Sequence, residues 1–208
     1  MEELHELVGA GDAALITQEC QRGVVGASSL LPELATAAGP ALPRIAELVT
    51  AARLARVPVV HSLASARSDR RGEPANAPLY RAVARSDRPL LAGTAAAELV
   101  EEIGLDERDF VITRLGGLGP MYDTGLELLL RRLGVRTVIA TGVSVNVAIL
   151  DLVLDCVNAG FTVVLPRDAV AGVPAGYADA VIDNSLRLLA RIVRSEDILA
   201  CWSSTGLT

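Results

Sequence analysis

The sequence predicts an α/β protein with a doubly wound, mainly parallel six-stranded sheet in the order 3-2-1-4-5-6 and helices on both faces. Three observations lead there. Short apolar runs of strand length alternate with longer stretches of helical periodicity, as in strand–helix–strand units. Such units bury a parallel sheet on both faces. Right-handed crossovers then favour the doubly wound order. With 208 residues, 51% of them apolar, the chain suits one domain, taken as 1–208. Aromatics make up only 3%, so Ala, Val and Leu carry the packing.

The elements follow in order. Residues 13–17 read as the first strand. A helix is expected over 43–56, with Pro43 suited to a first turn and Ile45, Leu48, Val49 and Ala52 on one face. Residues 57–63 form a second strand. The stretch 64–89 is polar and rich in Arg, Pro and Ser, so it reads as a long binding or covering loop with a helical turn near 79–84. A helix over 94–103 and a strand over 110–113 come next, then a glycine-rich loop at 115–119. A helix over 124–133 and a strand over 137–141 precede a helix over 145–158 that is apolar on most sides and hence deeply buried. Gly160 stops that helix. Residues 161–165 form a strand, 177–190 a helix and 192–194 a last short strand.

Composition excludes several classes. The net charge is −6 without a run of like charges, so the basic footprint of a nucleic-acid binder is absent. All 19 basic residues are arginine, so any cationic role falls to a guanidinium that cannot act as a neutral base. Cys20, Cys156 and Cys201 are an odd number without close pairing and indicate neither a disulfide framework nor a zinc site. No acid and histidine cluster has metal-ligand spacing, and no cofactor is expected. The acidic start does not resemble a signal peptide, and no apolar run reaches membrane-spanning length. A reducing cytoplasm is the expected compartment.

The predicted order places the carboxyl ends of strands 1 and 4 side by side, at the switch point where open sheets bind ligands. The residues there are 19–21 and 142–148, and strand 3 ends nearby at Arg114. Glu19 is a general base, a partner for Arg114 or a solvated charge. Arg114 either orients an anionic ligand group or pairs with Glu19. Gly116 and Gly117 allow unusual backbone angles and close approach to a ligand. Ser144 reads as the N-cap of the buried helix, whose first amides suit an anion or oxyanion. His61, at the end of strand 2, either borders the site or is structural. Cys20, beside Glu19, reads as a buried apolar residue, not a nucleophile.

These residues carry a resemblance. ALITQECQ, FVITRLGG, LLLRRLGVRTVIATGVSVNVAI and GFTVVLPRDAVAG resemble, in order and spacing, the isochorismatase-like cysteine hydrolases, over about 13–199. That family includes isochorismatases, nicotinamidases and carbamoyl-sarcosine amidases. The resemblance implies an Asp–Lys–Cys triad whose positions fall here on Glu19, Arg114 and Ala148. It also implies an oxyanion hole of backbone amides near a non-proline cis peptide, expected between Val143 and Ser144. Gln21, His61, Gly116, Gly117, Val143, Ser144 and Val147 are the expected ligand contacts, and a homo-oligomer (dimer or tetramer) is expected. Glu keeps the charge of Asp, Arg alters the reach of Lys, and Ala removes the nucleophile. Cys156 lies eight residues beyond Ala148, about 12 Å along a helix, too far to replace it.

Three functions fit. The chain binds a small polar or anionic ligand without thiol chemistry, or it is a hydrolase or lyase in which Glu19 activates water while Arg114 and the amides near Ser144 and Ala148 stabilise charge. The third is a structural oligomer or interaction protein. An enclosed polar pocket at Glu19 and Arg114 favours ligand binding; burial of both in packing favours the structural reading.

Overall fold

A computed structural model describes residues 2–204. Seven strands form one sheet, all pairs parallel: β1 (Ala13–Gln18), β2 (Val59–Ala64), β3 (Phe110–Arg114), β4 (Thr137–Val143), β5 (Thr162–Pro166), β6 (Val170–Ala171) and β7 (Arg191–Val193). Their order is β3-β2-β1-β4-β5-β7, the expected order with β7 as the sixth member. The two-residue β6, not among the expected strands, pairs in parallel with the end of β4.

The helices are α1 (Glu2–Val8), α2 (Arg22–Val25), α3 (Pro32–Ala38), α4 (Ala41–Leu54), α5 (Pro78–Ala84), α6 (Leu126–Arg132), α7 (Leu150–Asn158), α8 (Ala175–Asn184) and α9 (Ser195–Ser204). Two cores result, one on each face of the sheet. Ala13 and Leu15 of β1 face the core of α1, α3, α4 and α9, while Ala14 and Ile16 face that of α6, α7 and α8. This is the two-residue alternation of a strand applied to a segment apolar on both sides. Trp202 of α9 donates its indole N–H to the Val8 carbonyl at 2.7 Å, closing the last helix on the first.

Several boundaries depart from expectation for physical reasons. The helix expected over 94–103 is absent; only a 3-10 turn, Ala95–Ala97, forms. Its backbone is taken by the chain after β1: Arg22 donates to the Glu98 carbonyl at 2.9 Å, Val100 donates to that of Cys20 at 3.0 Å, and Gln21 bridges Leu99. Tertiary pairing outweighs helix propensity there. The second strand starts two residues late because the Val57 amide closes the end of α4 on the Ala52 carbonyl, at 2.9 Å, and Pro58 has no amide to pair. The helix expected over 145–158 opens with a π-helical turn, Val145–Ile149, before α7. Gly160 ends α7 at φ +83°, where Phe161 donates back to the Cys156 carbonyl. The helix expected over 177–190 stops at Asn184, and a separate 3-10 turn covers Leu186–Leu188. Helices α1, α2, α3 and α9 have no counterpart among the expected elements. No helix among the described residues is long and apolar enough to cross a membrane.

His61 lies within β2, fully buried, opposite Thr17. Its Nδ1 meets the Thr17 hydroxyl at 2.7 Å and its Nε2 meets Asp109 Oδ2 at 3.0 Å. A carboxylate only accepts, so Nε2 carries the proton and Nδ1 accepts from Thr17. Burial lowers the His61 pKa despite the opposing pull of Asp109. Burial works against the Asp109 carboxylate too, yet Arg53, the Asp106 amide and His61 hold it below the usual range.

The lowered His61 pKa sets a pH dependence. The unfolded chain binds this proton at about the ordinary histidine value of 6.5 and the folded chain binds it only at lower pH, so this stability is full above that value. It is lost as pH falls toward the folded pKa. Urea unfolding at about pH 7.5 and about pH 5.5 should therefore show the native protein losing stability on acidification, with a smaller loss in His61→Gln. Equal slopes would remove His61 as the source.

Candidate active site

The ends of β1, β3 and β4 converge on one side of the sheet. Glu19 follows β1 at φ +53°, a left-handed conformation uncommon for a residue with a Cβ, and its amide donates to the Ser62 carbonyl at 2.9 Å. Arg114 is the last residue of β3 and only 6% exposed. Its guanidinium donates to the carbonyls of Gly117 and Leu118, each at 3.2 Å, and pairs with Glu19 Oε1. The Gln18 side chain donates from Nε2 to the same oxygen at 3.3 Å. Arg114 Nη1 is buried without a hydrogen-bond partner among the described residues. Of the two readings of Arg114, pairing with Glu19 is the one its geometry displays.

The glycine-rich loop is shaped around that cation. Gly117, at φ +79°, turns its carbonyl toward Arg114 Nε. Gly119 lies against the Asp151 carboxylate of α7, and a Cβ at 119 would collide with Asp151 Oδ2. Burial, with Asp155 adding to it, holds the Asp151 carboxyl above the usual range, while Arg114 acts in the opposite sense.

On the other side, the Val143–Ser144 peptide is cis, as the resemblance implies. Ser144 occupies the N-cap position, but its hydroxyl makes no cap hydrogen bond, contrary to expectation. Its carbonyl instead closes the π turn, accepting from Ile149 at 3.0 Å and Val147 at 3.1 Å. Ala148 stands in that turn, 3% exposed.

A cavity of about 280 Å³ joins these parts. Glu19, Gly117, Ser144, Asn146, Val147 and Ala148 line one side, and leucines and valines from α3, α5 and the loops line the rest. Arg114 stands behind Glu19 and is not on the wall. The structure thus brings Glu19, Gly117, Ser144, Val147 and Ala148 together around one space. Gln21, His61, Gly116 and Val143 are not on its wall. Gln21 is a buried clamp that donates to the Ala64 and Ala97 carbonyls at 2.8 and 2.9 Å and accepts from the Ala64 amide. His61 has both ring nitrogens engaged, Gly116 packs on Pro74, and Val143 is 1% exposed in the core.

The sequence reading missed Asn146, whose Oδ1 is buried without a partner, and Asp151 and Tyr80 beside Arg114. Position 146 in the switch-point turn was a usable signal; Tyr80 lay in a loop without one. Among the described residues, no group of three His, Cys, Asp or Glu side chains could hold a metal ion.

The cysteines are placed for packing. Cys20 is buried, with Sγ toward the Gln18 carbonyl at 3.7 Å, and burial with the Glu19 charge pushes its pKa up to about 12. Burial likewise pushes Cys156 up to about 12 and raises Cys201. None of the three lines the cavity.

The isochorismatase domain profile matches residues 13–197. The chain belongs to the isochorismatase family. It is 32% identical over 81 residues to the uncharacterised isochorismatase family protein YecD of Escherichia coli O157:H7, a stretch that is 39% of this chain and 43% of that protein. The matched stretches take in about half the length of such relatives, 43% in one and 56% in another. In fold, the chain is similar to a cysteine hydrolase from Pseudomonas syringae pv. phaseolicola 1448A, with TM-score 0.80 at 20% identity over 93% of each chain. An isochorismatase family protein from Desulfovibrio vulgaris subsp. vulgaris str. Hildenborough gives TM-score 0.79 at 24% identity, over 90% of this chain and 98% of that one. These two likenesses establish the isochorismatase-type fold.

Buried, proton-holding thiols make a chemical prediction. A chromogenic disulfide at neutral pH should leave all three cysteines unreacted in the native protein and titrate all three after unfolding in guanidinium. Rapid reaction of one thiol in the native state would contradict the placement described above.

Proposed function

We propose that this isochorismatase-family chain binds a small polar ligand in the cavity at Ala148 and does not use the family's thiol chemistry. The carrying observation is the Ala148 methyl, buried in the turn where the resemblance places the nucleophile, with Glu19 on the same cavity wall. A methyl group cannot attack a carbonyl, and the three cysteines of the chain lie elsewhere.

The wall chemistry narrows the ligand. Glu19 and the unpartnered Asn146 Oδ1 are acceptors, and Ser144 carries a hydroxyl. Arg114 has its charge matched by Glu19, so it offers little to a free anion. An uncharged group rich in N–H donors, such as a primary amide, meets this set best. Leu31, Leu34, Leu79, Val83 and Leu90 suit an apolar body attached to it. Assembly into a dimer or tetramer is compatible with this reading.

A second reading has one observation in its favour. Both hydrogen bonds to Glu19 fall on Oε1, and the carboxylate lines the cavity, so Oε2 is disposed to take a proton from water. The hydroxide so formed attacks the bound carbonyl carbon, and Glu19 returns the proton to the leaving group.

Calorimetric titration with octanamide, with ammonia release measured in parallel, tests both. Binding is expected, with Ala148→Trp abolishing it by filling the cavity while the fold persists by circular dichroism. Glu19→Gln should weaken it about ten-fold, the scale of one hydrogen bond to a charged group. No turnover is expected in the native protein. Ammonia release lost in Glu19→Gln would favour the water mechanism, and release abolished by alkylation would sink the thiol-free reading. Unchanged binding in Ala148→Trp would place the ligand elsewhere.

A further inference from the structure

A second chamber, of about 360 Å³, lies between the segment after β2, α5 and the start of the glycine-rich loop. It shares Ala64, Val83 and Leu90 with the cavity at Ala148. Tyr80 stands on the outer side of this shared wall. Burial raises the pKa of its phenol, with Arg114 acting in the opposite sense and Asp151 and Glu19 adding to the rise.

The outer chamber differs from the inner one in charge. Three arginines line it. Arg67 is held by Asp69 at 2.8 Å, and Arg70 by Glu73 at 2.9 Å and by the Ala84 carbonyl. Arg71 makes no side-chain hydrogen bond or ion pair among the described residues, so its charge is available to a ligand. On the same wall, Ser65 Oγ is buried without a partner among the described residues. A guanidinium and a free hydroxyl together suit a carboxylate. The inner end, where Glu19 matches Arg114, does not.

We propose that the two chambers form one bipartite site for an elongated molecule with an uncharged amide-like head at Glu19 and a carboxylate tail at Arg71 and Ser65. The apolar middle lies across Val83 and Leu90. The opposite preferences of the two ends fix the direction of binding. This inference rests on the inner-chamber reading given above and adds the second recognition element and the class of ligand.

The test uses pairs matched in length: octanamide against the monoamide of suberic acid, and pentanamide against the monoamide of glutaric acid. In calorimetric titrations at low salt, at least one carboxylated amide should bind about five-fold tighter than its partner, as expected for one partly exposed charge pair. That advantage should vanish in Arg71→Ala, shrink in Ser65→Ala and fall with added salt. If octanamide binds and neither tail adds affinity, this inference fails while the inner-chamber reading stands. The same holds if the advantage survives in Arg71→Ala. If no amide binds the native protein, both readings fail.

Discussion

The site depends on the backbone of β1 being hydrogen-bonded on both sides. Thr17 stands opposite His61 of β2 and opposite Thr141 of β4, so β1 is the strand from which the sheet is built outward in both directions. The connections leaving β1 and β4 then separate to opposite faces, and a cleft opens between them. The approach of the two strands is close enough that a Cβ at Gly142 would run into the Gln18 carbonyl. Glycine at 142, at φ +107°, is therefore what permits Glu19 and Ser144 to stand on one wall.

Electrostatics add a second layer. The Glu19–Arg114 pair is mostly buried, with side-chain exposures of 17% and 5%. Removing either partner leaves an uncompensated charge in a poorly solvated place, a larger penalty than the net worth of the pair. The arginine also does what an ammonium on a flexible stem does less well. Its planar fork reaches Glu19 and the Leu118 carbonyl with Nη2 while Nε holds the Gly117 carbonyl. The cation and the loop that frames the cavity are thus one mechanical unit, with Asp151 packed against its far end at Gly119.

The sheet was largely legible because its strands are short apolar runs whose order follows from crossover handedness. The positions of Glu19, Arg114 and Ala148 followed from that order and were sharpened by the family pattern. What escaped reading was set by tertiary contacts. The segment 94–103 has helix-forming residues, yet its amides and carbonyls are claimed by Cys20, Gln21 and Arg22. Gln21 and His61 are residue types that often meet ligands, and nothing local reveals that their polar atoms are engaged by Ala64, Ala97, Thr17 and Asp109. Tyr80 and Asp151 come to Arg114 from distant elements, so no spacing in the chain announces them.

The π turn at Val145–Ile149 places one residue more in its loop than an α-turn would hold. Ala148 faces the cavity while Leu152, Val153 and Cys156 of α7 face the core, and that extra residue sets the angular offset between the two groups. The turn behaves as a phase shifter between a packing surface and a chemical surface. Because the shift is confined to one turn, the side chain at the cavity can be exchanged, methyl for thiol, without altering the stripe that anchors the helix. A fold arranged in this way keeps its architecture whichever side chain stands at the cavity, since the two are written on different phases of the same helix.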